Sequence, residues 1–219
     1  MNNSIKVKAV FLDMDGTVLN TEPFYISALE NAMKQLGIKN DVNYPVRCIG
    51  ISSVEMRKLF ISEVGTEQEY EKVIKLGRTL AEEYKIKQGI KTHGGFYELI
   101  NKLAENNVKS YIVTSTPRNV ALNNLKQAGI INYFAGFICK GDYENSKPHP
   151  EPYLTALKLS GELAENCIAI EDSPAGLTSA TSAGLKCVLI RDIAEIPPET
   201  AELTYADLKS LKDVINLIM

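Results

Sequence analysis

Five short apolar runs separated by helical patterns constrain the fold of this chain more than any other feature. The runs are rich in strand-forming residues, and a polar residue directly follows each of them. They cover residues 7–12, 110–113, 136–139, 167–170 and 186–190. Short buried strands that alternate with helices are typical of an open, mostly parallel sheet with helices on both faces. The sequence therefore predicts an α/β core.

One segment interrupts this alternation because its apolar positions recur only at helical spacing. Helical patterns cover residues 24–36, 54–64 and 67–84, with no convincing strand between them. We therefore expect an all-α domain at residues 21–91, inserted into a core formed by residues 1–20 and 92–219. A last helix is predicted over residues 206–217, at the end of the core.

Composition and charge exclude several classes of protein. Hydrophobic residues make up 45% and charged residues 23% of the chain, as in ordinary folded proteins. The formal net charge of −3 gives no general attraction to nucleic acid or to anionic membranes. No apolar stretch approaches the roughly 18 residues of a membrane-spanning helix. The four cysteines show no C-x-x-C spacing, so we expect a cytoplasmic protein. We also expect a monomer or weak dimer, and the charge and hydropathy predict no nucleic-acid or membrane partner.

Two carboxylates directly follow the first apolar run, in the sequence Asp13-Met14-Asp15-Gly16-Thr17. Side chains two residues apart in a strand share a face, and neighbouring acids repel unless a cation or a shared proton holds them. A simple turn is the alternative, since Asp-Gly is common in turns. The whole motif arises by chance only about 0.003 times in a chain of average composition. It therefore favours a divalent metal or acid/base chemistry.

The next two strands are followed by a hydroxyl and by a lysine. Thr114 ends the second strand and can donate to a phosphate oxygen, and Thr116 and Pro117 are predicted as the N-cap and first residue of the next helix. Lys147 lies in a proline-containing loop after the third strand, where its charge suits a phosphate or crowded carboxylates. Helix capping and a solvated surface lysine are the alternative interpretations.

A third acid, Asp172, follows the fourth strand. It precedes Ser173 and Pro174, which are predicted as the N-cap and first residue of a helix. A helix start that favours acids is the alternative explanation. However, ligands of parallel sheets bind beyond the carboxyl ends of the strands, and all these side chains are expected there. Oxygen ligands with a lysine suit Mg²⁺ and a phosphate group.

In this order the motifs resemble the four motifs of the haloacid dehalogenase superfamily, whose members are mostly phosphatases. The matching residues are Asp13, Asp15, Gly16, Thr17, Thr114, Lys147, Pro148, Glu171 and Asp172. The helical insertion is similar to the small cap of the β-phosphoglucomutase and phosphoglycolate phosphatase branch. The resemblance implies a Rossmann-like core with an all-α cap. It also implies a Mg²⁺-dependent phosphatase whose partner is a small phosphorylated metabolite, with a sugar phosphate as the expected substrate.

The resemblance assigns the acids their roles. Asp13 would attack phosphorus and form an aspartyl-phosphate, and it would also bind the metal. Asp15 would protonate the leaving oxygen and then activate water, while its backbone carbonyl binds the metal. Asp172 would complete the Mg²⁺ site, with Glu171 beside it as a supporting residue. The presence of Asp15 argues against a true dehalogenase, because that branch lacks the second acid.

The same resemblance implies a phosphate-binding set and a group of specificity residues. Thr114 and the backbone of Ser115 would bind the transferring phosphoryl group, and Lys147 would neutralise its charge and that of Asp13. In the cap, Tyr25 and a loop over residues 47–53 are the candidates for substrate specificity, with Arg47 and Ser53 named individually. An exposed salt bridge is the alternative interpretation of Arg47.

A phosphomutase of the β-phosphoglucomutase type is the alternative function, and a binding protein that has lost turnover is a third. In that branch a histidine lies ten residues past the second aspartate, and an arginine follows the glycine of the cap loop by three residues. This chain has Tyr25 and Ser53 there, with Arg47 or Arg57 as alternative cations. A tyrosine carries protons poorly at neutral pH and a serine has no charge for a second phosphate. We therefore predict hydrolysis.

Overall fold

The computed structural model describes residues 7–218, which form two compact units. The first unit contains the residues before Thr21 together with Lys91 onward, and the second is Thr21–Ile90. Residues 1–6 and Met219 belong to the core range expected from the sequence but lie outside the described residues.

The first unit contains a sheet of six strands that are all parallel to their neighbours. The strands are β1 (Ala9–Leu12), β2 (Lys109–Pro117), β3 (Gly136–Lys140), β4 (Cys167–Glu171), β5 (Lys186–Ile190) and β6 (Ala206–Leu208). All five predicted strands are confirmed. The order is β3-β2-β1-β4-β5-β6, so β2 and β3 lie on one side of β1, and β4, β5 and β6 lie on the other. The strand order thus reverses between β1 and β4, where parallel sheets bind their ligands.

Helices connect these strands and form the second unit. They are α1 (Glu22–Gln35), α2 (Tyr44–Arg47), α3 (Ser53–Glu63), α4 (Glu67–Gln88), α5 (Phe96–Glu105), α6 (Arg118–Gln127), α7 (Glu151–Ser160), α8 (Pro174–Ser182), α9 (Pro198–Ala201) and α10 (Ile215–Ile218). The three helical patterns of the insertion correspond to α1, α3 and α4, whereas the short α2 was not predicted. Across residues 7–218, no helix has the length and apolar character needed to cross a membrane.

The helix predicted over residues 206–217 is wrong in its first half. Residues Ala206–Leu208 form β6, which pairs with β5 through Val188 and Ala206, and a 3₁₀ turn (Leu211–Val214) separates this strand from α10. Apolar residues three and four apart, from Leu208 onward, produced the helical pattern. Pairing with the open edge of β5 overrides that local preference, and the sheet gains a sixth strand.

The two chain segments that connect the core to the insertion run side by side. Asn20 donates its backbone N–H to Lys91 O at 2.9 Å, and Leu19 and Thr92 form an antiparallel bridge. The N–H of His93 donates to Val18 O at 2.9 Å. The insertion therefore leaves and re-enters the core at one place, directly after the loop that follows β1.

The second unit has an apolar core of its own. Helices α1 and α4 pack along each other, and the ring of Phe60 lies 5.1 Å from that of Tyr44 and 5.7 Å from that of Tyr70. Capping boxes begin α3 at Ser52 and α4 at Thr66, which satisfies backbone N–H groups at both helix starts. The insertion is thus a helical unit with its own buried cluster.

Candidate active site

Three carboxylates meet where β1 and β4 end. Asp13 follows β1, and its N–H donates to Ile170 O at 3.0 Å, which extends the pairing with β4 by one residue. Glu171 ends β4 and Asp172 follows it, and oxygens of the three acids lie within 4.8 Å of one another. All three side chains are buried. Adjacent parallel strands therefore bring together residues that lie more than 150 positions apart in the chain.

Lys147 binds two of these acids. Its Nζ donates to Asp13 Oδ1 at 2.5 Å, to Glu171 Oε1 at 2.6 Å and to Val113 O at 2.9 Å. These three acceptors match the three donors of an ammonium group. Burial lowers the pKa of Lys147, but the charges of Asp13 and Glu171 outweigh burial and raise this pKa above its usual value. Lys147 is therefore a fixed positive charge beside the predicted nucleophile.

The acid cluster has the composition of a divalent metal site. Burial raises the pKa of Asp13 to about 8, against the lowering effect of the Lys147 charge. Three carboxylates share one ammonium group, so ionisation of all three leaves negative charge uncompensated. Carboxylate oxygens are the ligands that Mg²⁺ prefers. Asp13, Glu171 and Asp172 could therefore hold Mg²⁺, and the bound ion would favour the ionised form of Asp13.

Glu171, expected only as a supporting residue, is the most tightly held acid of the cluster. Its Oε1 accepts a hydrogen bond from Tyr153 at 2.5 Å as well as the one from Lys147. The Lys147 ammonium also lies 5.3 Å from the centre of the Tyr153 ring. Gly176, in the first turn of α8, lies against the carboxyl group of Glu171, since a Cβ at this position would meet Glu171 Oε2 at 1.9 Å. These neighbours restrict the position of the Glu171 carboxyl group.

We expect Gly176→Ala to displace Glu171, since the added methyl group overlaps its carboxylate. Overpacking of this kind costs about 1–3 kcal/mol of stability. Glu171 would also lose its hydrogen bonds with Lys147 and Tyr153. The unfolding temperature and kcat of Gly176→Ala should both be lower than those of Gly94→Ala. Gly94→Ala is a matched control because a Cβ at Gly94 meets no atom within 4 Å. Equal behaviour of the two variants would contradict the close packing against Glu171.

Asp15 is held separately from the acid cluster. Thr116 Oγ1 donates to Asp15 Oδ2 at 2.7 Å, and the Thr116 N–H donates to Thr114 Oγ1 at 3.1 Å. The prediction that Thr116 is a helix N-cap is wrong: β2 continues to Pro117, which precedes α6 without a side-chain cap. The hydroxyl of Thr116 binds a carboxylate instead of a helix N-terminus. Asp13 and Asp15, two residues apart, therefore have different partners.

Asp172 is oriented by Thr17. Gly16 adopts a φ of +82°, which the turn after β1 requires and which few other residues tolerate. Beyond this turn the buried Thr17 donates its hydroxyl to Asp172 Oδ1 at 2.9 Å. The predicted cap at Ser173 is confirmed, since its Oγ accepts from the Gly176 N–H at 3.1 Å. The chain segments that follow β1 and β4 are thus joined by a direct hydrogen bond.

Thr114 and Ser115 lie where β2 ends, beside Lys147. Thr114 is buried, and its backbone carbonyl accepts a hydrogen bond from Tyr143 at 3.0 Å. Ser115 is exposed. Since Lys147 Nζ is bonded to the carbonyl of Val113, the ammonium lies next to the strand end that carries both residues. Their role in binding phosphate stays a prediction.

The three specificity candidates belong to the helical unit. Tyr25 lies on α1, where the Lys85 ammonium is 5.5 Å from the centre of its ring. Arg47 forms a two-point ion pair with Glu63, at 2.6 and 3.0 Å, which agrees with the salt-bridge alternative. The predicted loop is shorter than expected because Arg47 ends α2 and Ser53 begins α3. Contact of any of the three with substrate stays a prediction.

The sequence did not predict the hydrogen bonds that three further polar residues form with acids of the site. These residues are Thr17, Thr116 and Tyr153. Thr17 is part of the first motif, and its place there was the available signal. Thr116 was assigned to a helix cap. Tyr153 lies on the buried face of α7, so its helical pattern predicts a core residue and gives no sign of a hydrogen bond to Glu171. Partners more than 15 positions away carry no local signature.

Comparisons with known proteins agree with this geometry. Residues 10–190 match the family described as Haloacid dehalogenase-like hydrolase. A phosphorylated carbohydrates phosphatase of Thermotoga maritima is 27% identical over 82% of this chain and 83% of its own length. A β-phosphoglucomutase of Bacillus subtilis is 28% identical over 83% of this chain and 82% of its own length.

The fold is also found in a solved structure. The crystal structure of a hydrolase from Pseudomonas syringae superposes with a TM-score of 0.78 at 23% identity. The match covers 95% of this chain and 96% of that chain. The family match spans the strand ends at which the acids, the hydroxyls and the lysine meet. The chain therefore belongs to the haloacid dehalogenase-like hydrolase family.

Proposed function

We propose that this protein is a Mg²⁺-dependent phosphatase that hydrolyses a small phosphorylated metabolite, with a sugar phosphate as the preferred class. The observation that carries the proposal is the buried cluster of Asp13, Glu171 and Asp172 with Lys147 bound to two of its members. The relative that acts on phosphorylated carbohydrates supports the substrate class. All four cysteines are buried free thiols, which suits a cytoplasmic enzyme.

In the first step Asp13 attacks phosphorus through a carboxylate oxygen. The bond between phosphorus and the substrate oxygen breaks as the bond between Asp13 and phosphorus forms, and Asp15 gives its proton to the leaving oxygen. Lys147 holds Asp13 in place and offsets the negative charge of the transferring group. Mg²⁺, when bound, would supply further positive charge for the phosphoryl oxygens.

In the second step water replaces the enzyme on phosphorus. Asp15, now ionised, takes a proton from water as the water oxygen attacks, and the bond between Asp13 and phosphorus breaks. Inorganic phosphate leaves and Asp13 is regenerated as a carboxylate. Asp13 therefore carries the phosphoryl group and Asp15 moves the protons, in keeping with their separate partners, Lys147 for Asp13 and Thr116 for Asp15.

Two features of the helical unit favour hydrolysis over phosphomutase activity. Arg47 is paired with Glu63, and Arg57 is paired with Glu67 at 2.6 Å. The two arginines that could replace the missing cation of the β-phosphoglucomutase pattern therefore already have carboxylate partners. Retention of a sugar bisphosphate needs a guanidinium or similar group for the second phosphate. We propose that the bisphosphate is not retained, so water reaches the aspartyl-phosphate first.

A screen of phosphorylated metabolites for phosphate release tests the reaction class. We expect release from at least one sugar phosphate with Mg²⁺, and loss of this release with Asp13→Asn. Absence of release from every monoester tested would contradict the phosphatase proposal.

Phosphorus NMR separates hydrolysis from phosphoryl migration. β-Glucose 1-phosphate, supplied with a trace of the 1,6-bisphosphate, should yield free phosphate faster than glucose 6-phosphate. The opposite order would assign the chain to the phosphomutases. Arg57→Gln, which removes one of the two alternative cations, should leave the product ratio of a hydrolase unchanged.

A further inference from the structure

Strand β2 loses its regular pairing where the site begins. Val113 pairs with Ile138 of β3, and the next pair joins Pro117 with Lys140, so four steps along β2 correspond to two along β3. Extra residues of this kind bend a strand and re-aim its side chains. The irregular stretch contains Thr114, Ser115 and Thr116, and the sheet thereby places three hydroxyl-bearing residues outside its regular ladder.

Thr116 uses this position to contact two residues of the site. Its hydroxyl donates to Asp15 Oδ2 at 2.7 Å, a distance typical of a hydroxyl bonded to a carboxylate. Its backbone N–H donates to Thr114 Oγ1 at 3.1 Å. Because Thr114 Oγ1 accepts this bond, the hydroxyl proton of Thr114 points away from the Thr116 N–H. One residue thus links the predicted phosphate-binding hydroxyl with the predicted acid.

We propose that Thr116 is a positioning residue that orients the carboxyl group of Asp15 for proton transfer to the leaving oxygen. This inference rests on the proposed phosphatase function and adds a residue to it. Asp15 is only half-buried, so burial alone does not fix its carboxyl group. The hydrogen bond from Thr116 restricts rotation of that group. A shift of about 1 Å in a catalytic group costs about a hundredfold in rate.

The leaving group provides a readout that a purely structural role does not affect. An alkyl phosphate releases a strongly basic alkoxide unless Asp15 protonates the leaving oxygen as the bond to phosphorus breaks. p-Nitrophenyl phosphate releases a weakly basic phenolate, which needs no proton from the enzyme. A misplaced Asp15 therefore slows the first reaction selectively, and kcat/KM reports this step for both substrates because it ends with departure of the leaving group.

The experiment compares Thr116→Val, Thr116→Ser and the wild type. The substrates are p-nitrophenyl phosphate and the sugar phosphate that the wild type hydrolyses fastest. For Thr116→Val we expect kcat/KM to fall at least about tenfold for the sugar phosphate, and less than about threefold for the aryl ester. Valine keeps the volume and loses the hydroxyl, whereas serine keeps the hydroxyl, so Thr116→Ser should restore the ratio of the two values.

Thr181→Val is the matched control. Thr181 is also half-buried, and its hydroxyl donates to Leu177 O at 2.8 Å within α8, so this substitution removes a hydroxyl outside the site. The ratio of the two kcat/KM values should not change. An equal loss on both substrates with Thr116→Val, or no loss, would overturn the inference while the phosphatase function stands. A wild type that hydrolyses neither substrate would overturn the proposed function itself.

Discussion

Asp13→Asn is expected to lower kcat by at least about four powers of ten. The amide is a poor nucleophile and cannot form the aspartyl-phosphate on which the proposed reaction depends. The substitution changes neither the size of the side chain nor the backbone hydrogen bond from Asp13 to Ile170. Steady-state release of phosphate, with the best substrate of the screen and saturating Mg²⁺, measures the effect.

The fold should tolerate this change. Lys147 keeps its bond with Glu171 at 2.6 Å, and one of three crowded carboxylates becomes neutral, which relieves repulsion. We therefore expect the unfolding temperature of Asp13→Asn in metal-free buffer to equal or exceed that of the wild type. Activity above about a tenth of the wild-type value would remove Asp13 from the nucleophilic role. A fall in both activity and unfolding temperature would indicate a structural effect.

Removal of divalent metal is expected to lower activity at least about a hundredfold, and added Mg²⁺ should restore it. The physical reason is the excess of carboxylates over ammonium groups at the ends of β1 and β4. Mg²⁺ that binds the folded chain should also stabilise it, by about 2.7 kcal/mol in the free energy of unfolding at a hundredfold excess over Kd. The unfolding temperature should therefore rise. This second measurement does not depend on turnover. Full activity in EDTA after dialysis would contradict the metal assignment.

Asp172→Asn assigns the effect to the acid cluster. The amide still offers an oxygen to the hydroxyl of Thr17, but the anionic ligand is lost, so a higher Mg²⁺ concentration should be needed for half-maximal activity. Asp41→Asn is the control, because Asp41 is an exposed aspartate outside the cluster. An unchanged Mg²⁺ requirement in Asp172→Asn would exclude Asp172 as a ligand.

The local sequence was sufficient to predict the strands and several of the side chains that meet at their carboxyl ends. Apolar runs between helical patterns predicted five strands, and the polar residues after them predicted which side chains lie at the carboxyl edge. Asp13, Lys147 and Asp172 were identified in this way because the ends of parallel strands share one edge. The helical insertion was visible because its apolar spacing changed from that of strands to that of helices.

Local patterns failed where a neighbour in space decided the outcome. Residues 206–217 have helical spacing, yet Ala206–Leu208 became a strand because β5 offered an open edge. Thr116 resembles a helix cap in the sequence, yet it binds Asp15, which lies 101 positions earlier in the chain.

The sequence by itself thus determined the α/β class, the inserted helical segment and the chemical groups of the site. Only the tertiary structure determined their pairing: Lys147 with Asp13 and Glu171, Thr17 with Asp172, and Tyr153 with Glu171. The physical reason is that the spacing of apolar side chains along a segment is a property of that segment alone, so it can be read from the local sequence. A hydrogen bond between distant segments depends on strand order, register and packing, which no single segment encodes.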